Sequence, residues 1–227
     1  MGYKRPMVRL FFFLLVLFPQ VSHAARLKKH PVTKPSLKVE IAKTKIIVDP
    51  GHGGDDFGTK VGTVIEKIVN LKTSEYVAAL LKKNGYDVQM TRKKDVFVSL
   101  ADRVEMANRS KASLMVSIHF NAAQSKEAEG LEIFYYKDPI QQRKTSSKNL
   151  ADAVMQKILD MTKAKSRGVK SGNFCVIRDT TIPAILVEGG FLTNERELEK
   201  IRQDQYLKSL AQGIVDGIEA YLKVGLK

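Results

Sequence analysis

The chain is predicted to fold as an α/β sandwich, with helices flanking a mostly parallel central sheet, and two patterns predict it. Short apolar runs of strand length alternate along the sequence with longer stretches whose apolar residues recur at threefold and fourfold spacing. The short runs are apolar throughout, as in strands buried on both faces between two helical layers.

The N-terminal residues precede this pattern. Lys4, Arg5 and Arg9 lead into an uninterrupted apolar stretch from Leu10 to Phe18, closed by Pro19. A stretch of this length is too short for a membrane-spanning helix, which needs about 20 apolar residues. Ser22 and Ala24 occupy the small-residue positions of a signal-peptidase site, so residues 1–24 are expected to be a signal peptide cleaved after Ala24, with an uncleaved membrane anchor as the alternative. The mature protein is then secreted, into the periplasm, with no integral membrane span. Residues 25–43 carry Arg26, Lys28, Lys29, Lys34, Lys38 and Lys43 with Pro31 and Pro35 and no periodicity, which reads as a basic, solvated linker.

The domain is expected over 44–224. Its strand candidates are Ile46 to Val48, Val88 to Met90, Leu114 to Ile118, Leu131 to Tyr135 and Ala184 to Val187. Between them, helical stripes run through Ile68, Leu71, Val77, Leu80 and Leu81, through Val104 and Ala107, and through Leu150, Val154, Ile158 and Met161. The clearest stripe closes the chain: Leu207, Leu210, Ala211, Ile214, Val215, Ile218 and Leu222 share one face. No internal repeat or low-complexity tract interrupts the series.

Composition narrows the function classes. A net charge of +14 favours polyanionic surroundings. An exported protein meets wall carboxylates or an anionic membrane face rather than nucleic acid. The single cysteine, Cys175, excludes an intrachain disulfide and a cysteine-framed zinc finger. Within the apolar run Phe174 to Ile177 it reads as a buried small hydrophobe rather than a nucleophile.

Of four histidines, His23 and His30 precede the domain, leaving His52 and His119 inside it. His52 follows the strand ending at Asp49, His119 follows Leu114 to Ile118, and Glu188 follows Ile185 to Val187. Ligands of open α/β sheets gather at the carboxyl ends of the strands, so parallel neighbouring strands would bring the three to one rim. Glu66 opens the helix running to Lys83, where the helix dipole favours a carboxylate. Two imidazoles and one carboxylate leave a position open on tetrahedral zinc, as in a hydrolytic site. Zinc lowers the pKa of a bound water to about 7, and a further carboxylate, here Glu188, can carry the proton. Each residue also has a plainer reading: a hydrogen-bonded structural histidine, a helix N-terminal charge at Glu66, an ion pair at Glu188. The glycines around His52 lack both the Gly-Lys-Ser/Thr ending and the Gly-x-Gly-x-x-Gly spacing of phosphate loops. Gly51, Gly53 and Gly54 instead let the backbone turn tightly and approach metal or substrate.

Six segments in order carry a resemblance: Ile-Val-Asp-Pro-Gly-His-Gly-Gly at 47–54, Glu-Lys-Ile-Val-Asn-Leu at 66–71, Thr-Arg at 91–92, Arg103 with Ala107 and Asn108, Ser-Ile-His-Phe-Asn-Ala at 117–122, and Glu-Gly-Gly-Phe-Leu-Thr-Asn at 188–194. Together they resemble the zinc-dependent N-acetylmuramoyl-L-alanine amidases of the cell-separation type, the amidase-3 family. The resemblance implies a three-layer, zinc-exopeptidase-like sandwich with one Zn2+ held by His52, Glu66 and His119, and Glu188 as catalytic glutamate. The implied reaction is hydrolysis, by metal-activated water, of the amide between the muramoyl lactyl group and L-alanine of peptidoglycan, in wall remodelling or cell separation. Arg178 is a candidate for holding a stem-peptide carboxylate, and Asn121 is a second substrate-binding candidate. Polymeric wall, muropeptides and a lipid-linked precursor all remain open as substrate forms, and a monomer is expected.

Some relatives insert a plugging helix, or add a wall-binding domain. Here only Lys137 to Lys144 separates strand from helix, so an open site needing no activator is expected. Two rivals stand beside this reading: a zinc carboxypeptidase or endopeptidase on the same peptides, and a basic wall-binding module with a degenerate metal site.

Overall fold

A computed structural model describes residues 1–2, 44–137 and 141–224. Beyond its first two residues, the expected signal peptide lies outside the described residues, as does the linker.

Strands β1 (Lys45–Pro50), β4 (Asp87–Met90), β5 (Leu114–Asn121), β6 (Leu131–Tyr135), β7 (Ser166–Ser171) and β8 (Ala184–Phe191) form one sheet in the order β4-β1-β5-β8-β6-β7. The first four are mutually parallel, β6 runs antiparallel to β8, and β7 runs parallel to β6. The reversal at β6 follows from its connection. The chain passes from β5 to β6 without a crossover helix, so β6 starts at the rim where β5 ends and runs back. A second sheet, β2 (Lys60–Val61) with β3 (Val64–Ile65), is a small hairpin before α1 (Glu66–Lys83).

Side chains alternate across the sheet and sort into two unequal layers. On one face Ile46, Val48, Leu114, Val116, Ile118 and Ile185 pack into the large core supplied by α1, α3 (Gln141–Thr162) and α6 (Asp204–Val224). On the other face Ile47, Met115, Ala184 and Leu186 form a smaller cluster with Ala107 of α2 (Leu100–Arg109), Ala112, and Val176 and Ile177 of α4 (Cys175–Arg178), edged by Phe134, Tyr136 and Ile182. Two short helices cannot cover a six-stranded sheet, so among the described residues the rim end of this second face is only thinly covered. Asp49, Ser117, His119 and Glu188 stand on it.

The predicted strands and helices all form. β7, the β2–β3 hairpin, α4 and α5 (Glu195–Ile201) escape the sequence reading, for identifiable reasons. β7 is an edge strand with the polar sequence Ser-Arg-Gly-Val-Lys-Ser, and pairs on one side only. α4 turns the apolar run at 174–177 into a single helical turn, which corrects the reading of Cys175 as buried: it is half-exposed and borders the open face. No helix among the described residues is long and apolar enough to cross a membrane.

Candidate metal centre

β1 ends in Pro50, and the chain leaves it through Gly51 into His52, whose φ of 60° is left-handed. A non-glycine residue there stores about 1–3 kcal/mol of strain, so the surroundings must hold it. Arg103 does so from α2: Nη1 donates to the Pro50 carbonyl at 2.6 Å and Nη2 to the His52 carbonyl at 2.7 Å. Arg92, just past β4, donates from Nε to the Pro50 carbonyl at 3.1 Å and from Nη2 to the Gly51 carbonyl at 2.8 Å. Three successive carbonyls are therefore clamped by two buried guanidiniums. Beneath them, Asp49 accepts from Arg103 Nη1 at 2.6 Å, Thr91 Oγ1 at 2.5 Å and Ser117 Oγ at 2.7 Å. Burial works against the Asp49 carboxylate, but the Arg103 charge and these hydrogen bonds outweigh it and hold its pKa below the ordinary value.

Gly51 makes room for the second histidine. A Cβ there would lie 2.2 Å from the His119 ring, so only glycine lets the two segments approach this closely. His119 stands in β5, directly opposite Glu188 of β8 in the parallel register.

Glu66 joins the two imidazoles. His52 Nε2 and His119 Nδ1 each lie 3.1 Å from Glu66 Oε1, and the rings meet edge to face with centroids 4.9 Å apart. Glu66 Oε2 accepts from the Thr59 amide at 2.8 Å, which fixes the carboxylate at the start of α1. His52 Nδ1 pairs with Asp56 Oδ2 at 2.8 Å, an arrangement that turns Nε2 inward towards Glu66. Burial opposes the charge on Glu66, yet hydrogen bonds and charge from His119 and His52 overcome it and lower its pKa far below the usual carboxylate range.

These residues fit a divalent ion. One ligand atom from each of His52, Glu66 and His119 lies within 4.8 Å of the others. The 3.1 Å separations to a shared oxygen approach the edge of a zinc tetrahedron, about 3.3 Å for ligand bonds near 2.0–2.1 Å.

Glu188 sits beside this cluster, outside it. Its Oε2 is buried and has no hydrogen-bond partner. Burial first, then the negative charges of Glu66 and Glu132, raise its pKa well above the ordinary carboxylate value. An apolar-walled cleft of about 170 Å³, lined by Phe97, Leu100, Phe174 and Cys175, opens onto His52 and His119.

The two remaining candidates lie differently. Asn121 ends β5 and donates from Nδ2 to Glu132 Oε2 at 3.1 Å. Arg178 ends α4 with its fork on its neighbour: Nε and Nη2 each reach an Asp179 carboxylate oxygen at 2.7 Å. The positioning roles of Arg92, Arg103 and Asp56 were not read from sequence. Arg103 carries a usable signal, since it stands one helical turn before Ala107 on the face of α2 that must be buried.

Comparison with known proteins agrees with this geometry. Residues 46–220 match a family model described as N-acetylmuramoyl-L-alanine amidase. The chain is 36% identical over 187 residues to the N-acetylmuramoyl-L-alanine amidase LytC of Bacillus subtilis, covering 82% of this chain and 37% of LytC. An N-acetylmuramoyl-L-alanine amidase structure from Clostridium difficile 630 superposes with a TM-score of 0.76 at 39% identity, covering 80% of this chain and 98% of that one. The CwlD amidase from Clostridioides difficile, solved in complex with the GerS lipoprotein, gives 0.75 at 31% identity, covering 80% and 99%.

Proposed function

Because the chain belongs to the N-acetylmuramoyl-L-alanine amidase family, we propose that it is a peptidoglycan hydrolase which cuts the amide between the muramoyl lactyl group and L-alanine, using zinc held by His52, Glu66 and His119. The observation that carries the metal assignment is the single Glu66 oxygen 3.1 Å from both imidazole nitrogens, with the buried Glu188 Oε2, which has no hydrogen-bond partner, beside the cluster.

A bound zinc ion supplies a Lewis acid that polarises the amide carbonyl and acidifies water. The protein does the rest. Asp56 holds the His52 ring in its tautomer through Nδ1, and the Arg92–Arg103 clamp holds the loop that carries it. Glu188 takes a proton from the attacking water and returns it to the L-alanine nitrogen as the C–N bond breaks, leaving a lactyl carboxylate and a free peptide amine. Its raised pKa suits the second half of that task, because a carboxyl that keeps its proton can deliver it. Asn121 and Arg178 complete the assignment as substrate-binding residues. For Arg178 this requires the guanidinium to exchange Asp179 for a stem-peptide carboxylate. The protein acts on the cell wall after export to the periplasm, as a monomer with an open site.

Incubating the mature protein with defined muropeptides, with and without a chelator, tests the proposal by mass spectrometry. Release of intact stem peptide with a free L-alanine amine, abolished by the chelator, is expected. Loss of a terminal residue with the sugar–peptide bond intact would make it a peptidase instead.

A further inference from the structure

The row of side chains that contains His119 and Glu188 continues across the sheet. Glu188 of β8 stands opposite Glu132 of β6, and Glu132 faces β7 where the β6–β7 register is irregular, between Leu131–Ser166 and Ile133–Val169. Arg167 lies in that irregularity and Lys170 follows it. Arg167 Nε donates to Glu132 Oε1, and Lys170 Nζ reaches the same oxygen at 2.8 Å. With Asn121 on Oε2, both oxygens of the Glu132 carboxylate are engaged.

The charges in this cluster do not balance. One buried carboxylate, with its side chain 7% exposed, faces two cations whose side chains are 37% and 41% exposed. The neighbouring acid, Glu129, is served by Lys165 and Arg196. Arg167 also lies over the Phe191 ring, its Cζ 5.0 Å from the ring centre. A guanidinium has five N–H donors and an ammonium three, so each cation keeps donors in excess of those used here. A pair built only to neutralise Glu132 would need one positive charge. This pair carries two, on the open edge of the sheet, in the row of the residue that moves the proton.

Resting on the amidase reading above, we infer that Arg167 and Lys170 form a subsite for a carboxylate of the stem peptide, so that the peptide half of the substrate leaves the centre towards β7. The spacing agrees. Neighbouring strands lie about 4.8 Å apart, which places β7 about 10 Å from Glu188, two strands away. At about 3.3–3.6 Å per residue, some three residues of extended peptide span that distance from an L-alanine nitrogen held at Glu188.

Two matched substrates test this: a muramoyl peptide whose carboxylate beyond L-alanine is free, and the same compound with that group as the carboxamide. The parent protein should prefer the free acid through KM, by about fivefold, the scale of one partly exposed ion pair. Added salt should shrink that preference. Lys170→Gln and Arg167→Gln should each reduce the preference, leaving kcat on the carboxamide within about twofold of the parent, and Lys170→Arg should keep it. Equal KM values for the two compounds in the parent would overturn the subsite. So would a loss of turnover on both compounds alike in the glutamine variants, which marks support of Glu132 only. If the folded, metal-loaded parent cleaves neither compound, the amidase reading falls and the subsite with it.

Discussion

Glu188 and Asp56 flank the same three candidate ligands and are proposed to do different work, so their variants should separate. Glu188→Gln keeps the shape of the side chain and removes its proton chemistry. Its kcat should fall by about 10²-fold or more while bound zinc, measured by elemental analysis, stays at the parent level. A variant within a few fold of the parent would remove Glu188 from the proton path. Asp56→Ala acts one step back, on the ligand. Losing the partner of His52 Nδ1 should weaken zinc binding about tenfold or more in a chelator competition. The same competition carries a pH dependence. Burial lowers the His52 pKa, but Glu66 and Asp56 outweigh it and raise it above the ordinary imidazole value. Protons therefore compete with metal already as pH falls towards neutrality, and affinity at pH 6 should be weaker than at pH 8.

At the scale of elements, the junction of β1, β4 and α2 stores the strain of the His52 turn and offsets it with a buried ion pair. Asp49→Asn would leave Arg103 buried without its counter-charge, at a cost of about 3–5 kcal/mol near neutral pH. The pH dependence of that cost has a fixed sign. The folded-state pKa of Asp49 lies below its unfolded value, so its contribution is complete above pH 4 and is lost as pH falls through the depressed folded pKa. Urea melts of parent and variant should converge below pH 4; a constant difference down to pH 2 would contradict the pairing. On the opposite face, α6 crosses α3 at two glycines four residues apart. A Cβ on Gly217 would lie 2.4 Å from the Val154 Cα and one on Gly213 2.6 Å from the Ile158 Cα. In an exposed helix Gly→Ala stabilises by about 1 kcal/mol. Here backbone meets Cβ, and forcing the helices apart costs about 1–3 kcal/mol. Gly217→Ala should therefore lower the thermal midpoint; a raised one would show that the helices part freely.

At the scale of the molecule, the site opens on the thinly covered face, and no helix is interposed among the described residues between β6 and α3. Purified mature protein loaded with zinc should hydrolyse muropeptides unaided, and a second protein should raise its rate by less than about twofold. A preparation that is inert until a partner is added would overturn the open-site reading.

The alternation of apolar runs with helical stripes was enough to read the layers, five of the six strands of the large sheet and the rim that gathers His52, Glu66, His119 and Glu188. Those features rest on local periodicity and on the short reach from a strand end to the next residue, both of which are written in consecutive positions. β7 left no such trace, because an edge strand half open to solvent needs no apolar pattern, and α4 read only as a short apolar run because one helical turn is too short to show a period.

Read alone, the chain names the side chains able to hold a metal and, on the condition that their strands are parallel neighbours, the edge they share. Only the tertiary structure decided that one Glu66 oxygen bridges the two imidazoles, that Arg92 and Arg103 hold the His52 turn, and that Arg167 and Lys170 share Glu132 in the row of Glu188. The reason is that polar partners are chosen by distance in space. Arg103 meets Asp49 and Lys170 meets Glu132 across separations of 54 and 38 residues, over which no sequence period extends.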